Sequence, residues 1–394
     1  MRDWKRASLA WVAIIAVLGL LLGATPASAG STKRGPRPTE VTAMTQNLYL
    51  GANLQPLFGA TGPELILESA AVYDHVLQVD FPARADAIAA LVAEERPDLI
   101  GLQEVALWQK LQRNEDGTWV PVETIDYLTI LLDALADRGL SYRAEAVNVN
   151  FTNETFPLPI TFDLSTTATL TMRDAILVRE RRHRPELRVI GSASGNYEAT
   201  TLVPSPGDPS QPLPVIRGWS YIDVRQRGGK RYRFVNTHLE AWSEADCDAV
   251  GRPSLAEPFV RNRQAAELVE LLAGSPQPVV LSGDLNAAPD DPCDAFQIFR
   301  DAGFVDGWAE AMPGIPAPTA GQTDDLDNVP STLDHQIDYV LFNRPDRLRA
   351  VPGSGEILGE ELDDRTPSGL WPSDHAGLAV TLRFVRSRQR RDGQ

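Results

Sequence analysis

The chain has 394 residues, of which 43% are hydrophobic and 23% are charged, and its formal net charge is −16. This length suffices for one large globular domain, and no self-similar period of about 20–50 residues indicates a repeat protein. The negative charge disfavours indiscriminate binding to nucleic acid, because polyanions repel one another.

The N-terminal segment has the pattern of a secretory signal peptide. Basic residues precede an apolar run over 9–23, and Ala27 and Ala29 follow in A-x-A spacing. The run is shorter than the roughly 20 residues of a membrane-spanning helix, so cleavage after Ala29 is favoured over a retained anchor. The sequence thus predicts a secreted protein with a signal peptide over 1–29, a linker over 30–40, one domain over 41–386 and a basic tail over 387–394.

Strands dominate the rest of the chain, with a few helices between them. In chain order the patterns predict a strand over 41–47, a helix over 82–96, a strand over 99–105, a helix over 128–136, strands over 141–147 and 173–180, a hairpin over 219–240 that turns at Gly228-Gly229, a helix over 261–274, and strands over 278–286, 336–342 and 377–385. Several strands are apolar at most positions, which is typical of a sheet with both faces covered. The fold class predicted is therefore α/β, a two-sheet sandwich with helices outside.

Polar side chains end or follow nearly every predicted strand. An aspartate at a strand end is most often a solvated turn residue, and a lone histidine is more often structural than catalytic. However, only five histidines occur in the chain and two of them fall here, and a glutamate ending an apolar strand is costly unless something pairs with it. The residues are Asn47, Glu104, His238, Asp284, Asn286, Asp338, Asp374 and His375.

These residue types suit metal-assisted hydrolysis. Asn47, Glu104 and Asp374 offer hard oxygen ligands, which favour Mg2+ or Mn2+ over zinc. His238 and His375 can contact phosphate oxygens or transfer a proton near neutral pH.

Three other polar residues complete the predicted site. Asp338 is predicted to fix the tautomer of His375, as a carboxylate does for a catalytic imidazole. Asp284 and Asn286 are predicted to hold an attacking water. Such a set, without an activated serine or cysteine, predicts hydrolysis of a phosphate ester.

The ordered motifs "TQN", "LQEV", "NTHLE", "SGDLNAAP", "QIDYVLF" and "SDH" resemble the endonuclease/exonuclease/phosphatase superfamily over 41–384. The resemblance implies a four-layer α/β sandwich, with two packed, mostly antiparallel sheets flanked by helices and the site at one edge. It implies that Asn47 and Glu104 belong to the metal site, and that His238 belongs to the phosphate site. It further implies that Asp284 and Asn286 orient water, and that Asp338, Asp374 and His375 form the Asp–His end. Arg173 or Asp174 is a further candidate without a secure assignment.

Three functions stay open. The favoured one is a secreted, Mg2+-dependent phosphodiesterase similar to sphingomyelinases or phospholipases C, because "NLYLG" lacks the second carboxylate of the abasic-site endonucleases. An extracellular nuclease is the alternative, supported by basic runs over 179–184 and 225–233. The third is a non-catalytic binding protein on the same scaffold.

Partners and covalent bonds can also be predicted. The expected partner is a phosphate ester, either a lipid headgroup or a nucleic acid, and the chain is expected to be a monomer. A disulfide between Cys247 and Cys293 is predicted, since their loops follow two motifs that should converge in an exported protein. Aromatic residues near the site motifs predict either core packing or contact with a membrane surface: Trp242, Phe259, Trp308 and Trp371.

Overall fold

The computed structural model describes residues 40–181, 187–241, 260–290 and 295–385. The predicted signal peptide, the tail over 387–394, Cys247, Cys293, Trp242 and Phe259 lie outside these residues. Among the described residues, no helix has the length and apolar character needed to cross a bilayer.

The described residues form seventeen strands and six α-helices. The strands are β1 Glu40–Asn47, β2 Leu99–Gln103, β3 Leu107–Arg113, β4 Trp119–Asp126, β5 Tyr142–Thr152, β6 Leu158–Pro159, β7 Thr166–Arg179, β8 Leu187–Asn196, β9 Thr201–Pro204, β10 Pro212–Val215, β11 Gly218–Gln226, β12 Arg231–His238, β13 Val279–Asp284, β14 Val305–Asp306, β15 Asp338–Phe342, β16 Leu348–Leu358 and β17 Gly377–Phe384. The helices are α1 Gly62–Gln78, α2 Phe81–Glu95, α3 Tyr127–Asp137, α4 Val260–Ala273, α5 Ala295–Asp301 and α6 Gly307–Ala311.

Two mixed sheets carry the fold. The first has the order β16-β17-β1-β2-β7-β3-β4, with β5 and β6 also paired to β7, and the second has the order β14-β15-β13-β12-β11-β8. Most pairs are antiparallel, while β1 with β2 and β12 with β13 are parallel. The strands β9 and β10 form a separate hairpin in the connection between β8 and β11.

Three apolar layers hold these elements together, and they confirm the predicted α/β sandwich. One layer, with Val41, Ile176, Phe234 and Val340, lies between the sheets. A second packs α1, α2 and α3 on the outer face of the first sheet, and a third packs α4 and α5 on the outer face of the second. The burial of strands on both faces explains their continuous apolar sequences.

Some segments outside the predicted strands and helices contain regular structure. The segment 191–215 contains the end of β8 and the hairpin β9–β10, and the segment 351–372 contains most of β16. Glycine, serine and proline obscure the alternation of these strands, and a register irregularity between Ala350 and Gly355 interrupts β16. Helix α1 and strands β3 and β4 were not anticipated either.

Trp308 and Trp371 are core residues, so the possible membrane contact predicted for them is wrong. They are 5% and 0% exposed. Each indole N–H donates to a backbone carbonyl, that of Ile315 and that of Asn328 respectively.

The strand directions bring many strand ends to one edge of the sandwich. The parallel strands β12 and β13 both end there, at His238 and Asp284, and β15 begins there because Asp338 is the antiparallel partner of Asp284. In the first sheet, β1 and β2 end in register at Asn47 and Gln103.

The two sheets approach each other closely just behind this edge. A side chain at Gly101 would overlap with the Asn236 amide and the Ser282 hydroxyl of the opposite sheet. Gln103 Nε2 donates to Asn236 Oδ1 across the gap (2.6 Å), and Asn236 Nδ2 donates to the Leu102 carbonyl (2.9 Å). This polar contact therefore sets the spacing between the two halves of the edge.

Candidate active site

The first sheet contributes an amide and two carboxylates. Asn47 ends β1, and its Oδ1 accepts a hydrogen bond from the backbone N–H of Tyr49 (2.9 Å). Glu104 follows β2 in a left-handed conformation (φ 54°), and its Oε2 accepts from the N–H of Leu50 (2.7 Å). Asp374 accepts from the Ser373 hydroxyl (3.2 Å). A non-glycine residue at positive φ is strained, so the turn at Glu104 is held by its surroundings.

Arg84 holds the two loops that carry Asn47 and Asp374. This guanidinium on α2 is 0% exposed. It donates to the carbonyls of Leu48 (2.7 Å), Tyr49 (3.2 Å) and Pro372 (3.0 Å). One cation thus fixes the backbone beside both residues.

Glu104 and Asp374 form a pair of neighbouring, half-buried carboxylates. Burial raises the pKa of Glu104, and the neighbouring charge of Asp374 raises it further. Burial also raises the pKa of Asp374, against the lowering effects of His375 and Arg84. Two carboxylates and the Asn47 amide are the hard donor set that Mg2+ or Mn2+ takes, and a divalent cation would relieve this repulsion. The residues present therefore fit the predicted metal.

In the second sheet, Asp284 lies at the centre of the polar residues. Its Oδ2 accepts from Asn47 Nδ2 (3.0 Å) and lies 3.5 Å from His238 Nε2 and 3.9 Å from His375 Nε2. Its Oδ1 accepts from the backbone N–H of Asn286 (2.9 Å). Burial, followed by the charge of Asp338, raises the pKa of Asp284 to about 6. A carboxylate with such a pKa is suited to accept a proton near neutral pH.

Asn286 braces the ends of two strands. Its Nδ2 donates to the carbonyl of Leu239 (3.0 Å), and the residue has a left-handed conformation (φ 48°). The amide nitrogen that was predicted to orient water is thus bonded to the backbone that follows His238.

His375 and Asp338 form the predicted carboxylate–imidazole pair, with Nδ1 and Oδ2 2.8 Å apart. Burial alone would lower the pKa of His375, but the charges of Asp338 and Asp374 outweigh it and raise this pKa well above its ordinary value. His375 is therefore an imidazolium cation whose Nε2 faces Asp284.

His238 has the opposite character. Burial lowers its pKa well below the ordinary value, and the charges of Arg217 and His375 lower it further. Arg217 Nη1 lies 3.1 Å from His238 Nδ1, and because a guanidinium only donates, Nδ1 is the acceptor and Nε2 carries the hydrogen. The two imidazoles around Asp284 thus differ in charge.

Asp284, Asp338 and His375 are also close enough to share a cation among the described residues, with ligand atoms within 4.8 Å of one another. Asp338 Oδ1 is buried and has no hydrogen-bond partner among those residues. However, this cluster includes an imidazole, whereas Glu104, Asp374 and Asn47 offer oxygen donors alone, which is the donor set that Mg2+ takes. We therefore favour Glu104, Asp374 and Asn47 as the position of the metal.

Arg217 is a site residue that the sequence did not reveal. It follows β10 in a proline-rich stretch, is 9% exposed, and its Nε is buried without a hydrogen-bond partner among the described residues. Its only local signal is an arginine in an otherwise apolar run. Asp174 is buried on β7, where Asn150 donates to it (2.6 Å) and burial raises its pKa to about 7. Arg173 lies outside the site and donates to the carbonyls of Val105 and Ala106 beyond Glu104.

A cavity of 310 Å³ opens beside these residues. Glu104, Asp374, Arg217, Asn150 and Asp324 form its polar end. The structure thus brings together all eight predicted residues, and it places a ligand-sized space next to the carboxylate pair.

Comparisons with known proteins identify the family and the fold. Residues 44–375 match the family described as the Endonuclease/Exonuclease/phosphatase family. No curated protein matches the sequence. Two solved structures of proteins from this family share the fold. The first, from Bacteroides thetaiotaomicron, is 16% identical to this chain with a TM-score of 0.50, and the match covers 89% of this chain and 100% of that protein. The second, from Leptotrichia buccalis, is 14% identical with a TM-score of 0.50, and the match covers 88% of this chain and 100% of that protein. The chain therefore belongs to the endonuclease/exonuclease/phosphatase family, whose members are hydrolases of phosphate esters.

Proposed function

We propose that this hydrolase is a secreted, Mg2+-dependent phosphodiesterase that cleaves a small ester such as a lipid headgroup, in the manner of sphingomyelinases and phospholipases C. The observation that carries the proposal is the position of Asp284. It lies between a neutral imidazole, an imidazolium cation and the Asn47 amide, beside the Glu104–Asp374 pair.

In the proposed reaction, Asp284 accepts a proton from the attacking water, while Asn47 and the Asn286 backbone N–H orient its carboxylate. The water oxygen bonds to phosphorus as the bond between phosphorus and the ester oxygen breaks, and the departing oxygen takes a proton from His375 Nε2, so that an alcohol and a phosphomonoester result. Arg217 and the His375 imidazolium stabilise the negative charge that develops on the phosphoryl oxygens. A bound Mg2+ would polarise the phosphoryl group from the Glu104–Asp374 side.

His238 and Asp338 are proposed to position these groups. Asp338 keeps the proton of His375 on Nδ1 and the ring in place. His238 presents its Nε2–H toward Asp284 and takes its orientation from Arg217.

The alternative, an extracellular nuclease, is not favoured by the distribution of charge. The turn at Gly228-Gly229 lies at the start of β12, whereas His238 is its last residue, so the basic run over 225–233 is at the far end of the sandwich. Arg179 and Arg181 from the other run pair with Asp98, which precedes β2 at that same far end. The described residues of the two runs therefore give a polyanion no basic path to Asp284.

A panel of substrates tests the proposal. The mature chain, with Mg2+ or with EDTA, is incubated with sphingomyelin, plasmid DNA and inositol phosphates. We expect Mg2+-dependent release of a phosphorylated headgroup from the lipid and little cleavage of DNA. Nicking of the plasmid without lipid hydrolysis would establish the nuclease instead, and the absence of any hydrolysis would favour a binding protein.

A further inference from the structure

The cavity beside the site has two chemically different parts. Its polar end faces the carboxylates and Arg217, as described above. The remainder is almost entirely apolar, and its main side chains are Leu54, Phe58, Phe151, Met172, Val203 and Leu213. Its volume of 310 Å³ is at the lower end of the range typical of small-ligand sites.

The hairpin β9–β10 forms one wall of this apolar part. Val203 and Leu213 are directly opposite each other in the hairpin, and both line the cavity. Because side chains alternate along a strand, Leu202 points away from the cavity and is 59% exposed. The hairpin thus presents one apolar face to the space above the site.

The hairpin also joins the two halves of the sandwich. It is inserted between two strands of the second sheet, and it is hydrogen-bonded to the segment just before α1, a helix that packs on the first sheet. The Gly59 N–H donates to the Pro204 carbonyl (3.1 Å), and the Gly207 N–H donates to the Ala60 carbonyl (2.8 Å). The site is therefore walled on this side.

Core packing alone does not account for these side chains. Val203 and Met172 are 8% and 9% exposed, yet they line a cavity that opens to solvent rather than a filled core. An apolar group that enters this space would be removed from water, which is favourable.

We propose that the apolar part of the cavity binds an alkyl chain that the substrate carries on its phosphate. This inference rests on the proposed function, since it takes the polar end as the phosphate site. It identifies the substrate class as phosphate esters with an apolar group close to the phosphorus. The apolar part is continuous with the polar end, so one molecule can fill both.

Binding of alkylphosphonates tests the proposal without turnover. Methylphosphonate and hexylphosphonate have the same charged group and differ by five methylenes. Titration calorimetry of the full mature chain with Mg2+ is expected to give at least tenfold tighter binding for hexylphosphonate, because each methylene removed from water is worth a few-fold in affinity. A ratio below tenfold would overturn the proposal.

Substitutions in the hairpin test where the alkyl chain of the ligand binds. Leu213→Asn and the nearly isosteric Val203→Thr should each lower the hexyl-to-methyl affinity ratio by at least threefold. Leu202→Asn is the matched control, because it makes a similar change on the outer face of the same hairpin and should leave the ratio unchanged. An unchanged ratio in Val203→Thr, which preserves shape, would refute the placement even if Leu213→Asn fails to fold.

A separate activity assay distinguishes a failure of the proposed function from a failure of this inference. Hydrolysis of methyl p-nitrophenyl phosphate, released as coloured p-nitrophenolate, reports phosphodiesterase activity alone. An inactive protein that still binds hexylphosphonate at least tenfold more tightly would contradict the proposed function and support the apolar subsite. An active enzyme that binds methylphosphonate and hexylphosphonate with similar affinity would support the proposed function and contradict the apolar subsite.

Discussion

At the scale of the residue, Glu104 is the most direct test of the metal site. Glu104→Gln preserves shape and removes one ligand charge. Changing a group that only supports a metal ligand already costs up to about 100-fold in activity, so the loss of the ligand charge itself should cost more than about 100-fold. Since burial raises the pKa of this carboxyl, its charge opposes folding, and the metal-free variant should be at least as stable as the wild type. Kinetics with Mg2+ and thermal melts in EDTA measure both. Full activity at ordinary Mg2+ concentrations would show that Glu104 is not a ligand.

The imidazoles give a second prediction at this scale. His375→Ala should lower kcat/KM by at least about 100-fold, as expected for the loss of an acid–base group. His238→Ala should have an effect of similar size, because it removes the ring that lies between Arg217 and Asp284. Asp338→Asn should have a smaller effect, because the ring stays in place and only the charge that favours its protonated form is removed. The exposed pair of His335 and Asp334 supplies a control, and His335→Ala should change activity less than about twofold. A fully active His375→Ala enzyme would refute the proposed mechanism.

At the scale of the element, helix α2 stabilises the site through Arg84. Arg84→Met would leave several buried carbonyls without donors, at about 1–3 kcal/mol each, so the free energy of unfolding should fall by at least about 3 kcal/mol. Arg84→Lys keeps the charge but not the planar fork and should be intermediate. Arg138, which pairs with Asp86 on the surface, is the control, since such pairs contribute about 1 kcal/mol or less. Urea unfolding compares the three variants, and equal losses for Arg84→Met and Arg138→Met would contradict the role of Arg84.

Individual strands also differ in how clearly the sequence predicts them. The motifs ending in Asn47 and Asp284 predicted strands and site residues together, because long apolar strands with a polar end have a strong local pattern. The hairpin β9–β10 and Arg217 have no such pattern. The hairpin is held by hydrogen bonds with Gly59 and Ala60, and Arg217 lies against His238. These partners are distant in the sequence, so only the folded structure reveals them.

At the scale of the whole molecule, the residues of the site come from both sheets. Asn47 and Glu104 belong to the first sheet, and His238 and Asp284 belong to the second. A cation that binds only the folded chain should raise the melting temperature. At a cation concentration of about 100 times its Kd, the free energy of unfolding increases by about 2.7 kcal/mol. For a large domain, at about 2 °C per kcal/mol, this corresponds to about 5 °C. Calorimetry of EDTA-treated protein with added Mg2+ measures the shift. Glu104→Gln should reduce it, and an equal shift in that variant would place the metal elsewhere.

The fold class could be predicted at this scale because several strands are apolar at most positions, as in sheets with both faces covered, and because the ordered motifs resemble a family of known architecture. The secreted state and the pairing of Cys247 with Cys293 stay predictions. Thiol labelling of the denatured, unreduced mature chain tests the disulfide: no label supports the bridge, and two labels per chain refute it.

The close approach of the sheets at Gly101 has a consequence for how this protein tolerates mutation. Gly101 performs no chemistry, yet any side chain there would collide with Asn236 and Ser282 of the opposite sheet and shift one half of the site relative to the other. In a library that samples every substitution, position 101 should therefore be as intolerant as Glu104, even for alanine. The two positions should differ in the cause: variants at 101 should lose folded protein, whereas Glu104→Gln should accumulate normally and lack activity. Abundance and activity scored side by side in the same library would separate these two kinds of constraint.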